Sequence, residues 1–445
     1  MDIPYALLGN KQSCTCGRDH QVPIEKIVID ERMLEQLPPY LAGESLNQVL
    51  LVADANTYRV FGDQVYQHLL GAGVTCDVHV FQASHDLLPD EQAIAAIRQA
   101  VVQSSATVVL AVGSGVINDV ARYASYSEGI PYIVIPTAPS MDGYASSVAA
   151  LQFNGVKTTL PAHTPKAIFV QPEVLSDAPF ELIQAGFGDL IGKTISLLDW
   201  KLSHVLFGEY FCTKSYEMVL TPLQYCVEHA VQVRDRDQTT IKNLFVGLIN
   251  AGIAMAMMGN SRPCSGSEHH CSHYWDLLAY QGVRPHASHG LQVGYAVQWM
   301  IRFYRVFAKA SSIEAPLSPA LTPEREAQIR AFYGDGANEI LTVFRDKVSW
   351  YHEHNGDFQT RDIALVLQKL EPELSMLPAV ERALRDMNIP EMMDALGLTV
   401  DILRETFLHA NELRSRYTIF DFLVSQGELD GATRNVLAIL EVAKK

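Results

Sequence analysis

The chain has 445 residues, 48% of them hydrophobic and 19% charged, enough for two or three domains with large cores. Its 34 Lys+Arg stand against 50 Asp+Glu, a formal net charge of -16, which argues against nucleic acid or an anionic membrane as partner. A phosphorylated small molecule is not excluded, since it needs only a local positive site.

The seven cysteines are odd in number and irregularly spaced, and the N-terminus lacks a basic-then-apolar leader, so a reduced cytoplasmic protein is expected. Residues 1–22 read as an N-terminal extension. They hold Cys14-x-Cys16-Gly-x-x-His20, by spacing half a zinc site, but no second cysteine pair completes it. A structural or vestigial role is expected there.

From Gln48 a strand–helix alternation begins. Residues 47–54, Asn-Gln-Val-Leu-Leu-Val-Ala-Asp, form a near-continuous apolar run ending in an acid, the pattern of a strand buried on both faces of a parallel sheet. Helix is expected over Tyr58–Gly71, Asp90–Ser104 and Val116–Tyr126. Strands are expected over Val74–Phe81, Thr107–Val112 and Tyr132–Ile135, with shorter ones at Lys157–Leu160 and Ala167–Val170. This rhythm predicts a doubly wound α/β domain that binds ligands at the carboxyl ends of its strands.

Gly113-Ser114-Gly115-Val116-Ile117-Asn118-Asp119 opens a helix at such a strand end. Its glycines admit a pyrophosphate close to the backbone, and the helix start offers donors. It is not a full GxGxxG, because Asn118 holds the sixth position; the plainer reading is a tight βα turn. In Thr137-Ala138-Pro139-Ser140 to Ser146, small hydroxyl residues beside a strand end suit a nucleotide contact, with Asp142 as the polar exception; the plainer reading is an ordinary Pro/Gly/Ser loop. Asp54, ending the first strand, is placed to accept from ribose hydroxyls.

After Pro179 helical periodicity dominates to Lys445. The expected division is therefore an α/β domain over 23–180 and an all-helical domain over 181–445. Leu244–Met258 reads as a buried helix rather than a membrane span. Ser311–Thr322 reads as an inter-helix loop.

The helical domain opens with Gly186-Phe-Gly188-Asp189-Leu-Ile-Gly192-Lys193. Asp189 and Lys193 share an otherwise apolar helix face, where a carboxylate is costly unless paired or bound to metal. A surface pair between the two is the plain alternative. Further on stands Ser265-Gly-Ser-Glu268-His269-His270-Cys-Ser-His273, followed by His286-Ala-Ser-His289-Gly. Ser265-x-x-Glu268 reads as a capping box, and His269 and His273 are four apart on one face. Imidazoles converging with one carboxylate suit a divalent ion, although the spacing alone does not say which of them bind.

In order, Gly-Ser-Gly, Thr-Ala-Pro-Ser-x-Asp-Gly, Gly-Phe-Gly-Asp-Leu, Ser-Gly-Ser-Glu-His and His-Gly-x-x-Val-Gly resemble the sn-glycerol-1-phosphate dehydrogenases, bacterial AraM type. That group sits among the iron-type alcohol dehydrogenases, glycerol dehydrogenases and dehydroquinate synthases. Thr418-Ile-Phe-Asp-Phe-Leu adds to the likeness, which covers roughly residues 45–430. The resemblance implies a dehydroquinate synthase-like fold, NAD(P)H as cofactor and a homodimer. It implies a divalent ion (zinc or nickel, with iron as an option) on Asp189, His269 and His289. Substrate would meet Asp142, His273 and Asp189; apart from the resemblance, Lys193 stands one turn beyond Asp189, where it either offers the substrate a cation or pairs with Asp189 alone. The Gly113–Asp119 turn, Thr137 to Ser140 and Ser146 would touch cofactor. His270 and His286 have no counterpart in it. The implied reaction is reversible reduction of dihydroxyacetone phosphate. The rivals are a polyol dehydrogenase, a dehydroquinate synthase-like lyase, which would not consume NADH steadily, and a non-catalytic metal- and nucleotide-binding protein.

Overall fold

The computed structural model describes residues 1–82, 87–153, 156–314, 320–354, 359–360 and 362–442. The chain forms two compact units, Met1–Leu190 with Thr221–Ser261, and Ile191–Leu220 with Arg262–Lys445.

The first unit opens with a small hairpin, β1 (Gln12–Ser13) and β2 (Asp19–His20), which are antiparallel. Its sheet is built from β3 (Lys26–Ile29), β4 (Gln48–Asp54), β5 (Thr75–Phe81), β6 (Val108–Gly113), β7 (Tyr132–Pro136) and β10 (Ala167–Val170). Their spatial order is β3-β10-β7-β6-β4-β5, and every pairing is parallel. Between β7 and β10 lies an antiparallel ribbon of β8 (Val148–Phe153) and β9 (Val156–Pro161). The helices between strands are α1 (Met33–Gly43), α2 (Ala55–Thr57), α3 (Asp63–Gly71), α4 (Glu91–Ser104) and α5 (Gly115–Glu128).

β4, β6 and β7 are almost wholly buried, as their unbroken Val/Leu/Ile runs predict for a sheet covered on both faces. The chain goes from β4 outward to β5, then crosses back to place β6 on the other side of β4. The strand order therefore reverses between β4 and β6, at Asp54 and Gly113, where an open α/β sheet leaves a crevice for a ligand.

The expected strands and helices of this unit are present. Sequence patterning misses β3, β8 and α1. Pro38 and Pro39 inside α1 disguise it, β3 is only four residues long, and β8 has a partial alternation of small residues.

Then come α6 (Pro172–Ser176), α7 (Phe180–Phe207), α8 (Thr213–Glu228), α9 (Ala230–Arg234) and α10 (Gln238–Met258). α10 is long and apolar enough to span a membrane, yet 78% of its most apolar window is buried in the protein. It packs on α6 and on the 3₁₀ turn Gly143–Ala145. Gly252 permits that approach, since a Cβ there would lie 2.8 Å from both Asp142 O and Ala145 Cβ.

The remaining helices are α11 (Ser267–Tyr280), α12 (His289–Phe307), α13 (Pro323–Tyr333), α14 (Ala337–His354), α15 (Ile363–Leu374), α16 (Leu377–Asp386), α17 (Val400–His409), α18 (Ile419–Ser425) and α19 (Leu429–Val442). Among the described residues no strand follows β10. Phe303 of α12 meets Phe407 of α17 and Phe420 of α18 edge to face, and Phe307 meets Phe422 likewise. Such ring pairs add about 0.5–1.5 kcal/mol each beyond their buried area. Of the loop expected at Ser311–Thr322, residues 315–319 lie outside the described residues; its flanks join α12 to α13.

Candidate metal and substrate centre

Asp189 stands on α7, the helix within which the boundary between the two units falls. The helix is glycine-rich around it because its neighbours come very close. A Cβ on Gly186 would lie 1.6 Å from the Pro139 carbonyl oxygen, and one on Gly192 would lie 2.4 Å from Val293 Cγ1. Asp189 is completely buried, and its Oδ2 accepts from the backbone N–H of Asp142 at 2.8 Å. Lys193 is equally buried and donates to the Cys264 carbonyl at 3.2 Å. A surface Asp189–Lys193 pair is therefore ruled out.

His269 and His273 lie on α11, and His289 is the first residue of α12. Their rings form a triangle, with centroids 5.1 Å apart for His269–His289, 6.3 Å for His269–His273 and 5.9 Å for His273–His289. Asp189, His269 and His289 each offer one ligand atom, and these atoms all lie within 4.8 Å of one another.

Two of the imidazoles are held from behind. His269 Nδ1 is 2.6 Å from Glu268 Oε1, and His289 Nδ1 is 3.1 Å from Ser272 Oγ. A carboxylate on Nδ1 fixes the ring and leaves Nε2 as the electron-pair donor, the usual support of a metal-bound histidine. One carboxylate and two neutral imidazoles, mutually close and oriented, fit a divalent ion.

The capping box does not form. α11 begins at Ser267, too late for Glu268 to be its third residue, and no side chain of its own caps it. Glu268 Oε1 accepts from Gly266 N–H at 2.9 Å. The Ser267 amide goes to Asp199 Oδ2 at 2.7 Å. Asp199 also accepts from Ile419 N–H at 2.8 Å and Tyr304 O–H at 2.6 Å. One buried carboxylate thus ties α7, α11, α12 and α18 together. Burial, and next the Glu268 carboxylate, raise its pKa to about 6 against those hydrogen bonds.

Sequence reading also misses a basic group near this helix start. Arg414 and Arg416 are half-buried, and Arg416 donates to the Ser265 carbonyl at 3.1 Å. Loss of water, then the positive charges of Arg262 and Arg414, bring the Arg416 pKa down to about 9. Crowded cations of this kind are relieved by an anion. His270 is fully buried, and burial followed by the charges of Lys347, Arg414, Arg416 and Arg262 holds its pKa well below the usual value. It stands outside the ligand cluster.

On the sheet side, the first turn of α5 follows β6 directly, with Ser114, Gly115 and Val116 half-buried. Gly113 is needed for packing, because a Cβ there would lie 2.6 Å from Ile117 Cβ. Ile117, Asn118 and Asp119 are buried. Asn118 Nδ2 donates to Asp119 Oδ1 at 3.0 Å, and the same oxygen receives Arg122 Nη1 at 3.2 Å. Arg122 in turn donates to Tyr132 O–H and to the Val148 and Tyr144 carbonyls. The far half of the Gly113–Asp119 turn is therefore tied into the buried hydrogen bonds of the fold.

Thr137, Ala138 and Pro139 are buried; Ser140 and Asp142 are half-buried. Ser146 is buried and its Oγ accepts from Val148 N–H. Asp54 caps α2, its Oδ1 accepting from Asn56 and Thr57 N–H at 2.8 and 2.9 Å.

Comparison with known proteins bears on this arrangement. Residues 28–179 match the iron-containing alcohol dehydrogenase family model. The chain is 34% identical over 409 residues to the glycerol-1-phosphate dehydrogenase (NAD(P)+) of Halalkalibacterium halodurans, covering 91% of this chain and 94% of that one. It is 30% identical to its namesake from Bacillus subtilis, covering 89% and 90%. Among solved structures, an iron-containing alcohol dehydrogenase from Thermococcus thioreducens superposes with a TM-score of 0.65 at 13% identity, over 94% of this chain and 99% of that one. A probable glycerol dehydrogenase from Sinorhizobium meliloti gives 0.59 at 14% identity, over 93% and 98%. At such identities the two structures speak for the fold alone.

Proposed function

This chain belongs to the glycerol-1-phosphate dehydrogenase family, and from that premise we propose that it reduces dihydroxyacetone phosphate to sn-glycerol-1-phosphate, reversibly, with NAD(P)H and one divalent metal ion. The observation that carries the reading is the convergence of Asp189, His269 and His289. These three would hold the ion, and the donor set suits zinc, nickel or ferrous iron alike. When bound, the ion supplies Lewis acidity and an open coordination position at the substrate carbonyl, and the nicotinamide supplies the hydride.

The residues of the chain do the rest. Glu268 and Ser272 orient the two imidazoles, and the Asp142 amide holds one oxygen of Asp189. His273, beside both ligand histidines, is placed to deliver the proton that the new hydroxyl needs. Asp142 and Asp189 complete the substrate set. Arg414 and Arg416 attract the phosphate, with Lys193 adding positive charge one turn beyond Asp189. The first turn of α5 offers backbone donors to the cofactor pyrophosphate, Asp54 faces its ribose, and Ser140 lines its approach. Cytoplasmic residence as a homodimer belongs to the same proposal.

Charge-assisted hydrogen bonds to phosphate are worth about 1.5–3 kcal/mol each, so two of them discriminate by roughly 10²–10⁴. The test is a metal-reconstituted assay with dihydroxyacetone phosphate and dihydroxyacetone, each with NADH and NADPH, and chiral analysis of the product. The phosphorylated ketone should lead by at least about a hundredfold in kcat/KM. Comparable efficiency with dihydroxyacetone sinks the phosphate reading. An sn-glycerol-3-phosphate product sinks the stereochemical one. Asp189→Asn should lose the ion held by these three residues, and turnover with it; retention of both means the ligand set is wrong.

A further inference from the structure

A second set of metal-ligating side chains gathers away from Asp189. Cys14, Cys16, His20 and Cys212 each offer one donor atom, and the four atoms all lie within 4.8 Å of one another. By spacing, Cys14-x-Cys16-Gly-x-x-His20 has no second cysteine pair; the fold supplies Cys212 instead.

Three of the four come from one tight hairpin. Gln12 pairs with His20 and Ser13 with Asp19 across β1 and β2. The turn between them closes with Cys14 N–H donating to Arg18 O at 3.1 Å and Gly17 N–H to Cys14 O at 3.0 Å. Gly17 takes φ +85°, a left-handed conformation that suits glycine. Cys16 Sγ is 3.2 Å from His20 Nε2. Cys212 is buried and directly precedes α8, where the positive helix end favours a thiolate.

His20 decides between packing and ligation. It is buried, and its Nδ1 lies 2.9 Å from the Met257 carbonyl oxygen. A carbonyl only accepts, so Nδ1 carries the proton, and Nε2 presents its lone pair on the side of Cys16 Sγ. That is the tautomer and orientation a metal-bound histidine needs. No disulfide joins any of the seven cysteines. A tetrahedral zinc ion with Zn–S of about 2.3 Å and Zn–N of about 2.0–2.1 Å sets ligand–ligand edges of roughly 3.5–3.8 Å. The Cys16 Sγ–His20 Nε2 distance of 3.2 Å is close to such an edge, and all four donor atoms lie within 4.8 Å of one another.

We propose that Cys14, Cys16, His20 and Cys212 form a second metal site, a closed Cys₃His zinc centre of structural kind. Three thiolates select zinc over harder ions, and four protein ligands leave no position open for chemistry. Its role is to fix the N-terminal hairpin, whose strands are only two residues each, against the end of α10 through His20 and Met257.

The test uses the full-length holoenzyme, reconstituted with zinc, desalted, and analysed for metal per chain and turnover. Wild type should hold two ions. Cys212→Ser and the Cys14→Ser/Cys16→Ser double variant should each hold one and keep wild-type turnover, with a lower Tm. Asp189→Asn should also hold one, without turnover. Cobalt(II) reports independently, because only this site offers sulfur. A thiolate-to-cobalt charge-transfer band should appear in wild type and in Asp189→Asn, and vanish in the double variant. Wild type with a single zinc and no thiolate band overturns the site, as does a second zinc that survives the double variant.

Discussion

At the level of single residues, the candidate centre depends on side chains that touch the ligands rather than on the ligands alone. Glu268 is buried and accepts from both Gly266 and His269. Glu268→Gln keeps an acceptor of the same shape but removes the charge that strengthens the imidazole as a donor. Metal affinity should fall by about 10–100-fold while turnover at saturating metal is largely restored. A competition titration with a chelating dye reads this, and an unchanged Kd would show that the contact has no orienting role. Among the described residues the Arg414 guanidinium donates to the adjacent Leu413 carbonyl at 3.4 Å, and burial lowers its pKa although the Asp276 carboxylate works against that. Arg414→Ala should raise KM for dihydroxyacetone phosphate by about 10–100-fold, the loss of one charge-assisted bond, and leave dihydroxyacetone unaffected. Equal losses on both ketones would mean a folding defect instead of a lost phosphate contact.

At the level of elements, close approach and capping set the geometry. Gly186→Ala forces a methyl into the Pro139 backbone, which has no side chain to swing aside. Overpacking of that kind costs about 1–3 kcal/mol, and the strain falls on the loop that brings Asp142 to Asp189. Gly43, at the end of α1, has open space where a Cβ would stand and an ordinary φ, so Gly43→Ala should stabilise by about 0.4–1 kcal/mol. Denaturant melts of the two variants should move in opposite directions. Asp199 links four helices, and its carboxyl has a folded pKa of about 6 against an ordinary 3.8. The value is raised, so this contribution to stability is fully present below about pH 4 and is lost as pH rises through 6. Asp199→Asn does not titrate and turns an N–H₂ toward backbone donors. It should be less stable than wild type by about 1–3 kcal/mol, with the deficit shrinking between pH 4 and pH 7. A deficit that grows over that window would reverse the assignment.

At the level of the whole molecule, metal binding and folding are linked. An ion held only by the folded state stabilises it by about 2.7 kcal/mol at a hundred times its Kd. Chelation should abolish turnover, leave the far-ultraviolet helical signal largely intact and lower Tm; added zinc or nickel should restore both activity and Tm. The Asp189→Asn variant should keep only the part of the Tm shift that the cysteine cluster supplies. A chelated enzyme with full turnover would remove the metal from the reaction altogether.

Much of the fold is legible without coordinates. A parallel strand covered on both faces must be apolar along its whole length, so β4, β6 and β7 announce themselves, and the βα turn at Gly113 follows from their order. The neighbourhood of His269 and His273 is equally local, since positions four apart share a helix face. The residues Asp189, His269 and His289 are nominated by family resemblance, and their meeting is a tertiary fact. The same holds for what sequence reading misses or misassigns. Glu268 looks like a helix cap because Ser-x-x-Glu is a local pattern, but the buried Asp199 carboxylate takes the helix start. The spacing of Asp189 and Lys193 leaves a surface pair open as the plain alternative, but both faces of α7 are buried at that point. Arg414, Arg416 and Cys212 carry no local signal at all. Periodicity and capping report on neighbours along the chain, whereas a ligand cluster is decided by which distant segments pack together, and only the tertiary structure records that.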